Sequence, residues 1–225
     1  MCTRMGASAM AVAGNPTVIA DDSDWERNPP RGYEVYESPL RDEDRLDDDM
    51  GLENGGETDR WASTLTPAEL AALSDYSERA GTYNYPLRHG GQLPAGVAQI
   101  TNALDRFVLP KAIVTHRIST AQLLGFGDTA TIDDVEAMIG SVVVDNGFTS
   151  STAINGTFEA YDEVVYHIKT PKGARAGAYI KGVSTHTEEN EFLYNRGGCY
   201  RVLGAYTDGD GMLNVNMEWI GRKTD

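Results

Sequence analysis

Glu189-Asn190-Glu191 places two carboxylates two residues apart at the head of the apolar run Phe192-Leu193-Tyr194. If the segment is extended, residues i and i+2 share a face, so both carboxylates address one substrate. Such a pair divides labour: one carboxylate stabilises a developing cation while the other steers or deprotonates a nucleophile. In a chain with 34 acidic residues the spacing also arises by chance, as a solvated strand end. Three upstream segments supply the partners that such chemistry needs. Arg117 offers a forked cation at the end of an apolar stretch, Gly147-Phe148-Thr149-Ser150-Ser151-Thr152 offers a row of hydroxyls, and Tyr83-Asn84-Tyr85-Pro86-Leu87-Arg88 offers an amide and a second arginine. His186 near Glu188, Glu189 and Glu191 is not read as a metal site, because the cysteine and second histidine that zinc favours are missing.

The elements that position these residues follow from local signals. Thr66-Pro67-Ala68-Glu69 has an N-cap threonine, a proline at the first helical position and a glutamate closing a capping box. Leu70, Leu73 and Tyr76 continue at helical spacing, and Gly81 is expected to end the helix. A second helix is expected over 97–108, with Ile100, Leu104 and Phe107 buried and Pro110 beyond its end. The period then changes. A short strand over 112–117 leads to Arg117, and a short helix starts at Thr131 with Asp133 and Asp134 in its first turn. Strands are expected over 141–144, 147–154, 163–169, 176–181, 191–194, 199–206 and 212–220, with hairpin turns at 195–198 and 207–211. Helices first and strands afterwards give an α+β domain rather than a βαβ array.

At 225 residues and 24.4 kDa the chain holds one good-sized domain and a tail. Residues 1–59 form the tail: within it, Arg41-Asp42-Glu43-Asp44-Arg45-Leu46-Asp47-Asp48-Asp49 has too little apolar surface to offset its ordering entropy, so an acidic disordered leader is expected. The catalytic part is expected over 60–225. A net charge of −15 argues against general nucleic-acid binding and against anionic membranes, and leaves a basic or arginine-bearing protein as partner. No stretch approaches the ~18 apolar residues of a membrane span. The first 20 residues make a poor cleaved signal peptide. Cys2 and Cys199, the only cysteines, suggest no disulfide framework and a reducing compartment.

Taken in order, the capped helix, Asn84 with Leu87-Arg88, Arg117, the Gly147–Thr152 hydroxyl run and the Glu189/Glu191 pair resemble the Arg–Ser–Glu class of mono-ADP-ribosyltransferases. This is the group of the clostridial binary toxins, related exotoxins and certain bacteriophage enzymes, and the resemblance spans roughly residues 61–220. It implies a fold of N-terminal helices followed by two small, roughly perpendicular β-sheets with an NAD cleft between them. It also implies transfer of ADP-ribose from NAD to a protein, with nicotinamide released and no metal used. By the resemblance Arg117 contacts the NAD phosphates, Ser150 holds the catalytic Glu191, and Glu189 marks arginine-modifying members. Asn84, Tyr83, Phe148, Ser151, Thr152 and, in place of a family arginine, His167 complete the NAD-binding set. Where relatives carry an aromatic residue four positions before the asparagine, this chain has Ala80, and Tyr76 or Tyr83 takes its place. The stretch 182–188 is expected to be a mobile loop that shapes target choice. The resemblance further implies a monomer acting in the cytoplasm of a target or host cell.

The chemistry asks for the same residue types independently of the family. Nicotinamide departs from NAD to leave an oxocarbenium-like ribose, which a fixed carboxylate stabilises as its charge develops. A hydroxyl bonded to that carboxylate favours its ionised form. A guanidinium acceptor is protonated in water and needs a second carboxylate to orient it and take a proton. Water in place of arginine would make an NAD glycohydrolase, a nucleic acid would make a different transferase, and a non-catalytic or virion-associated module would keep the fold without the reaction.

Overall fold

The computed structural model describes residues 56–153, 164–207 and 211–223. The acidic leader over 1–55, the strand ends at Ile154 and Glu163, and the turn at 208–210 lie outside the described residues. Three helices lead: α1 (Glu57–Ala62), α2 (Pro67–His89) and α3 (Gly96–Arg106). The strands follow: β1 (Ile113–Ser119), β2 (Val142–Asp145), β3 (Thr149–Thr152), β4 (Val164–Thr170), β5 (Gly177–Tyr179), β6 (Glu191–Tyr194), β7 (Gly198–Thr207) and β8 (Leu213–Arg222). A short α4 (Ile132–Glu136) precedes β2, and single 3₁₀ turns occupy Ala121–Leu124 and Thr187–Glu189. Among the described residues no helix is long and apolar enough to cross a membrane.

Helix α1 spans the expected boundary at residue 59. Its ordering has a specific cause, because the Trp61 indole donates to the Ala103 carbonyl at 2.8 Å and packs edge-on against Phe107. At α2 the capping box forms as the sequence implies: Thr66 Oγ1 accepts from Glu69 N, and the Glu69 carboxylate reaches back to Thr66 N. The helix does not end at Gly81. It kinks at Arg79 (φ −138°, ψ 39°) and resumes as far as His89. Asp75 bridges the kink, accepting from the Arg79 guanidinium and, at 2.6 Å, from the Tyr83 hydroxyl. Opposed side chains on both sides of the break restore what the lost helical turn gives up. Glu69 also receives both terminal nitrogens of Arg106 at 2.7 and 2.8 Å, which fastens α2 to α3.

The strands pair in the order β2-β7-β8-β4-β1-β3-β6-β5. All neighbours are antiparallel except β4 and β8. The expected division into two sheets takes a particular form here. Five strands (β2, β7, β8, β4, β1) and three (β3, β6, β5) make separate ladders, joined among the described residues through the pair His116–Thr152. Side chains reinforce that joint: the Tyr194 hydroxyl on β6 meets Thr115 Oγ1 on β1 at 2.9 Å and Thr170 Oγ1 on β4 at 2.7 Å. The helices cover the sheet over Leu73, Ile100 and Leu104, all fully buried, and Tyr76 on α2 packs edge-on against Phe148 before β3 at 5.4 Å. Cys199 on β7 is fully buried, and Cys2 lies outside the described residues.

Gly177 on the edge strand β5 is fixed by close approach. A Cβ there would lie 2.0 Å from the Leu193 carbonyl oxygen, a backbone atom that cannot move aside without breaking the β5–β6 ladder. Gly177→Ala is therefore expected to cost at least about 3 kcal/mol, the upper part of the overpacking range. Urea denaturation followed by far-UV circular dichroism measures this loss.

Candidate active site

Glu191 opens β6 and is 97% buried by its surroundings, at 3% exposure. Its neighbours come from three elements. Register across β3–β6 sets Ser150 opposite Leu193 and Thr152 opposite Glu191, so Ser150, Thr152 and Glu191 share one face. The Ser150 side chain hydrogen-bonds the Glu191 carboxylate. Arg117 projects from β1, where its Nη1 donates to the Ser150 carbonyl at 2.7 Å and its Nη2 reaches Ser119 Oγ at 3.4 Å. The guanidinium is thus oriented by backbone, with the rest of its five N–H donors left for an anion. Tyr166 sits opposite Arg117 in the β1–β4 register, its hydroxyl donating to the Thr120 carbonyl.

Burial pushes the Glu191 carboxyl up to about 7. The Ser150 hydrogen bond and the positive charges of Arg117 and His186 act in the opposite direction, and the negative charge of Glu189 adds to the rise. The Ser150 hydroxyl thus favours the ionised form in the expected direction, and desolvation outweighs it. Tyr76, fully buried beside it, is raised by burial first and by the Glu191 charge second.

Glu189 is exposed and belongs to a different conformation. It ends the 3₁₀ turn Thr187–Glu189, and Asn190 turns the chain through a left-handed conformation before β6 starts. The two glutamates are thus not successive residues of one extended face, as the i, i+2 spacing suggests. One points from a turn toward solvent and the other is packed inside. The preceding stretch 182–188 is held at its base by Val183 and Ser184 donating to the Ile180 carbonyl, and Thr185 N and Oγ1 both lie 3.1 Å from Ser77 Oγ on α2.

Asn84 acts on the frame around this cluster. Its carboxamide donates to the Tyr76 hydroxyl at 3.0 Å and accepts from Phe148 N at 2.8 Å, so it fastens α2 to the start of the hydroxyl run. Arg88, one turn later, makes a two-pronged bond to Asp145 at 2.8 and 2.7 Å and donates to the Phe148 carbonyl. Asp145 also accepts from Gly147 N and Thr149 Oγ1, both at 2.8 Å. Burial opposes its charge most strongly, yet Arg88 and these donors hold its carboxyl below the usual range. Gly147 has to be glycine here, since a Cβ would stand 2.9 Å from both Arg88 Nε and Asn84 Oδ1.

Several expected residues take supporting rather than lining positions. Ser151 donates to the Phe192 carbonyl at 2.8 Å, Thr152 donates to the Glu189 carbonyl at 2.9 Å, and Phe148 is fully buried against Tyr76. Tyr83 bonds Asp75, so Tyr76 rather than Tyr83 is the aromatic residue near Glu191. The structure does not bring His167 to the cluster. Strand alternation sets it on the opposite side of β4 from Tyr166, Arg117's register partner, within bonding distance of His116, Asn214 and Tyr206. Sequence reasoning missed Asp145 and Tyr166.

An NAD molecule fits this donor set: a fixed guanidinium for a diphosphate, and a buried carboxylate with a hydroxyl partner for a ribose that gains positive charge. Among the described residues no cluster of histidine, cysteine, aspartate and glutamate could hold a metal ion. Helices followed by a split sheet, with Arg117, Ser150 and Glu191 near its joint, give the fold expected of an ADP-ribosyltransferase. The chain belongs to the ADP-ribosyltransferase exoenzyme family, whose model matches residues 54–218. It is 29% identical over 154 residues to an NAD(+)–arginine ADP-ribosyltransferase of Enterococcus faecalis; that alignment covers 65% of this chain but only 31% of the relative. The fold is shared with Plx2a, an ADP-ribosyltransferase toxin from Paenibacillus larvae, at 22% identity and a TM-score of 0.70, covering 82% of this chain and 99% of that one. It is shared too with the C3 exoenzyme of Clostridium limosum, at 22% identity and a TM-score of 0.67, covering 77% and 94%. NAD is the substrate of this family.

The titration of Glu191 is testable in two ways. With Glu191 expected to act in its ionised form, kcat/KM for NAD should fall as pH drops through about 7, well above the ordinary value of 4.5. Because the folded carboxyl is raised above its unfolded value, its contribution favours folding below about 4.5 and is lost as pH rises through about 7, by about 3 kcal/mol in all. Glu191→Gln should therefore melt above wild type at pH 8, with the margin vanishing near pH 4.5. Thermal scans at the two pH values decide it.

Proposed function

We propose that the protein transfers ADP-ribose from NAD to an arginine side chain of a target protein. The observation that carries this reading is the contrast between buried Glu191, backed by Ser150 and Arg117, and exposed Glu189 two residues earlier. NAD supplies a glycosidic bond whose cleavage sends the bonding electrons out with nicotinamide and leaves ribose C1′ open to attack. Glu191, ionised and held by Ser150, offers its negative charge where positive charge develops on the ribose, the place where electrostatic stabilisation lowers the barrier most. Arg117 anchors the diphosphate end, so that the ribose meets the carboxylate in one orientation. Glu189 reaches an acceptor from the solvent side, orients its guanidinium and takes the proton released as the new C–N bond forms.

Arginine as acceptor is supported by the arginine activity for which the Enterococcus faecalis relative is named and by the carboxylate at position 189. The chain spans about a third of that relative's length, so the target protein and its cytoplasmic setting belong to the same proposal.

Incubation with labelled NAD and target-cell lysate, followed by mass spectrometry, tests the reading. Glu191→Ala should lower transfer by a factor of about 10³ or more, as removal of a main electrostatic stabiliser does. Glu189→Gln should suppress transfer to protein while nicotinamide release persists. Equal loss of both in Glu189→Gln, or a label resistant to protease and removed by nuclease, would contradict the proposal.

A further inference from the structure

Asn190 lies between two glutamates of opposite exposure, and among the described residues it is the one non-glycine residue with positive φ (φ 48°, ψ 48°). Asparagine tolerates this left-handed region where most side chains with a Cβ do not. The turn is tied on every side. The Tyr179 hydroxyl on β5 donates to Asn190 Oδ1 at 2.9 Å, and Ala153 N donates to the Asn190 carbonyl at 3.0 Å. Thr152 Oγ1 donates to the Glu189 carbonyl at 2.9 Å, and Ile180 N donates to the Glu191 carbonyl at 2.9 Å. Tyr179 is itself fixed, being fully buried and paired with Phe192 in the β5–β6 ladder.

We infer that Asn190 and Tyr179 are positioning residues that set the direction of Glu189 relative to Glu191, and thereby the share of ADP-ribose delivered to the acceptor rather than to water. The inference rests on the arginine-transfer reading above. Glu191 has anchors of its own in Ser150, in its pairing with Thr152 and in the Ile180 bond. Glu189 has no strand to hold it, and its direction follows from the turn that Asn190 makes, from the bond of its carbonyl to Thr152 and from the long 3.3 Å bond of its amide to the His186 carbonyl. Loosening Asn190 therefore displaces the acceptor carboxylate more than the ribose carboxylate. The functional consequence is a change in partition, with nicotinamide release retained.

The test uses the full chain, NAD and agmatine as a soluble guanidinium acceptor, and measures nicotinamide released and the fraction captured as ADP-ribosyl-agmatine. Asn190→Gly keeps the left-handed backbone and removes the carboxamide, while Tyr179→Phe removes only the hydroxyl. Each should lower the captured fraction roughly fivefold, the worth of one such hydrogen bond, and raise KM for agmatine. Nicotinamide release should stay within about twofold of wild type, because Glu191 keeps its own anchors. The double variant should lose no more than the single ones, since both remove the same bond. Asn190→Ala, which adds backbone strain, should fall below Asn190→Gly. Melting curves accompany each variant, and parallel loss of release, capture and thermal midpoint overturns the inference in favour of a structural role. An unchanged captured fraction, or additive losses in the double variant, overturns it as well. If wild type releases nicotinamide but never modifies agmatine, the arginine reading fails and the inference fails with it; agmatine transfer whose partition ignores these substitutions overturns the inference alone.

Discussion

Burial of one carboxylate is the constraint on which the rest of the site depends. A glutamate at 3% exposure is costly to ionise, and the surrounding groups reduce that cost without removing it. Ser150 supplies a hydrogen bond, while Arg117 and His186 supply opposite charge; together they leave the group poised near neutrality rather than fully charged. A carboxylate in this condition gains more from a positive charge developing beside it than a solvated one does, because little water screens the interaction. The strain of holding Glu191 inside is thus relieved by the event it serves.

The frame that keeps this arrangement stiff lies one layer back. Asp145 gathers Arg88, Gly147 N and Thr149 Oγ1, and Asn84 holds Phe148 N and the Tyr76 hydroxyl. Between them these bonds lock the approach to β3 from both flanks, so that Ser150 arrives in register opposite Leu193. Helix α2 contributes through its second segment, past the kink at Arg79, and the Asp75 bridge across that kink sets where Asn84 and Arg88 fall. Local helix chemistry and active-site geometry are therefore a single chain of dependence running from Asp75 to Glu191.

Much of this was legible in residue order, and the failures have physical causes. The capping box at Thr66–Glu69 is a local signal and formed where the sequence implied. Strand positions followed from alternation and turns, and β6 runs over the expected residues. Gly81 misled because a helix kink bridged by Asp75, Arg79 and Tyr83 is a side-chain effect that propensity does not encode. The start of α1 was hidden by its acidic surroundings, since what orders it is a tertiary bond from Trp61 to Ala103. The Glu189–Glu191 spacing implied a shared strand face because asparagine suits an extended or a left-handed backbone, and only the tertiary bonds from Tyr179 and Ala153 select the latter. His167 was chosen by its place in the sequence, and strand parity sends it to the other side of the sheet. Asp145 escaped notice as one aspartate among many acidic residues, although its partners are all uncharged donors or Arg88.

The residue pair joining the two ladders separates two kinds of inheritance in this molecule. Within each ladder, geometry is set by backbone bonds that almost any sequence can make. Across the joint it is set by particular side chains, Tyr194 with Thr115 and Thr170, and Arg117 with the Ser150 carbonyl. The placement of one ladder against the other is consequently written in a few replaceable letters, while the ladders themselves are not. Substitutions at the joint can shift Glu191 relative to Arg117 without rebuilding either ladder.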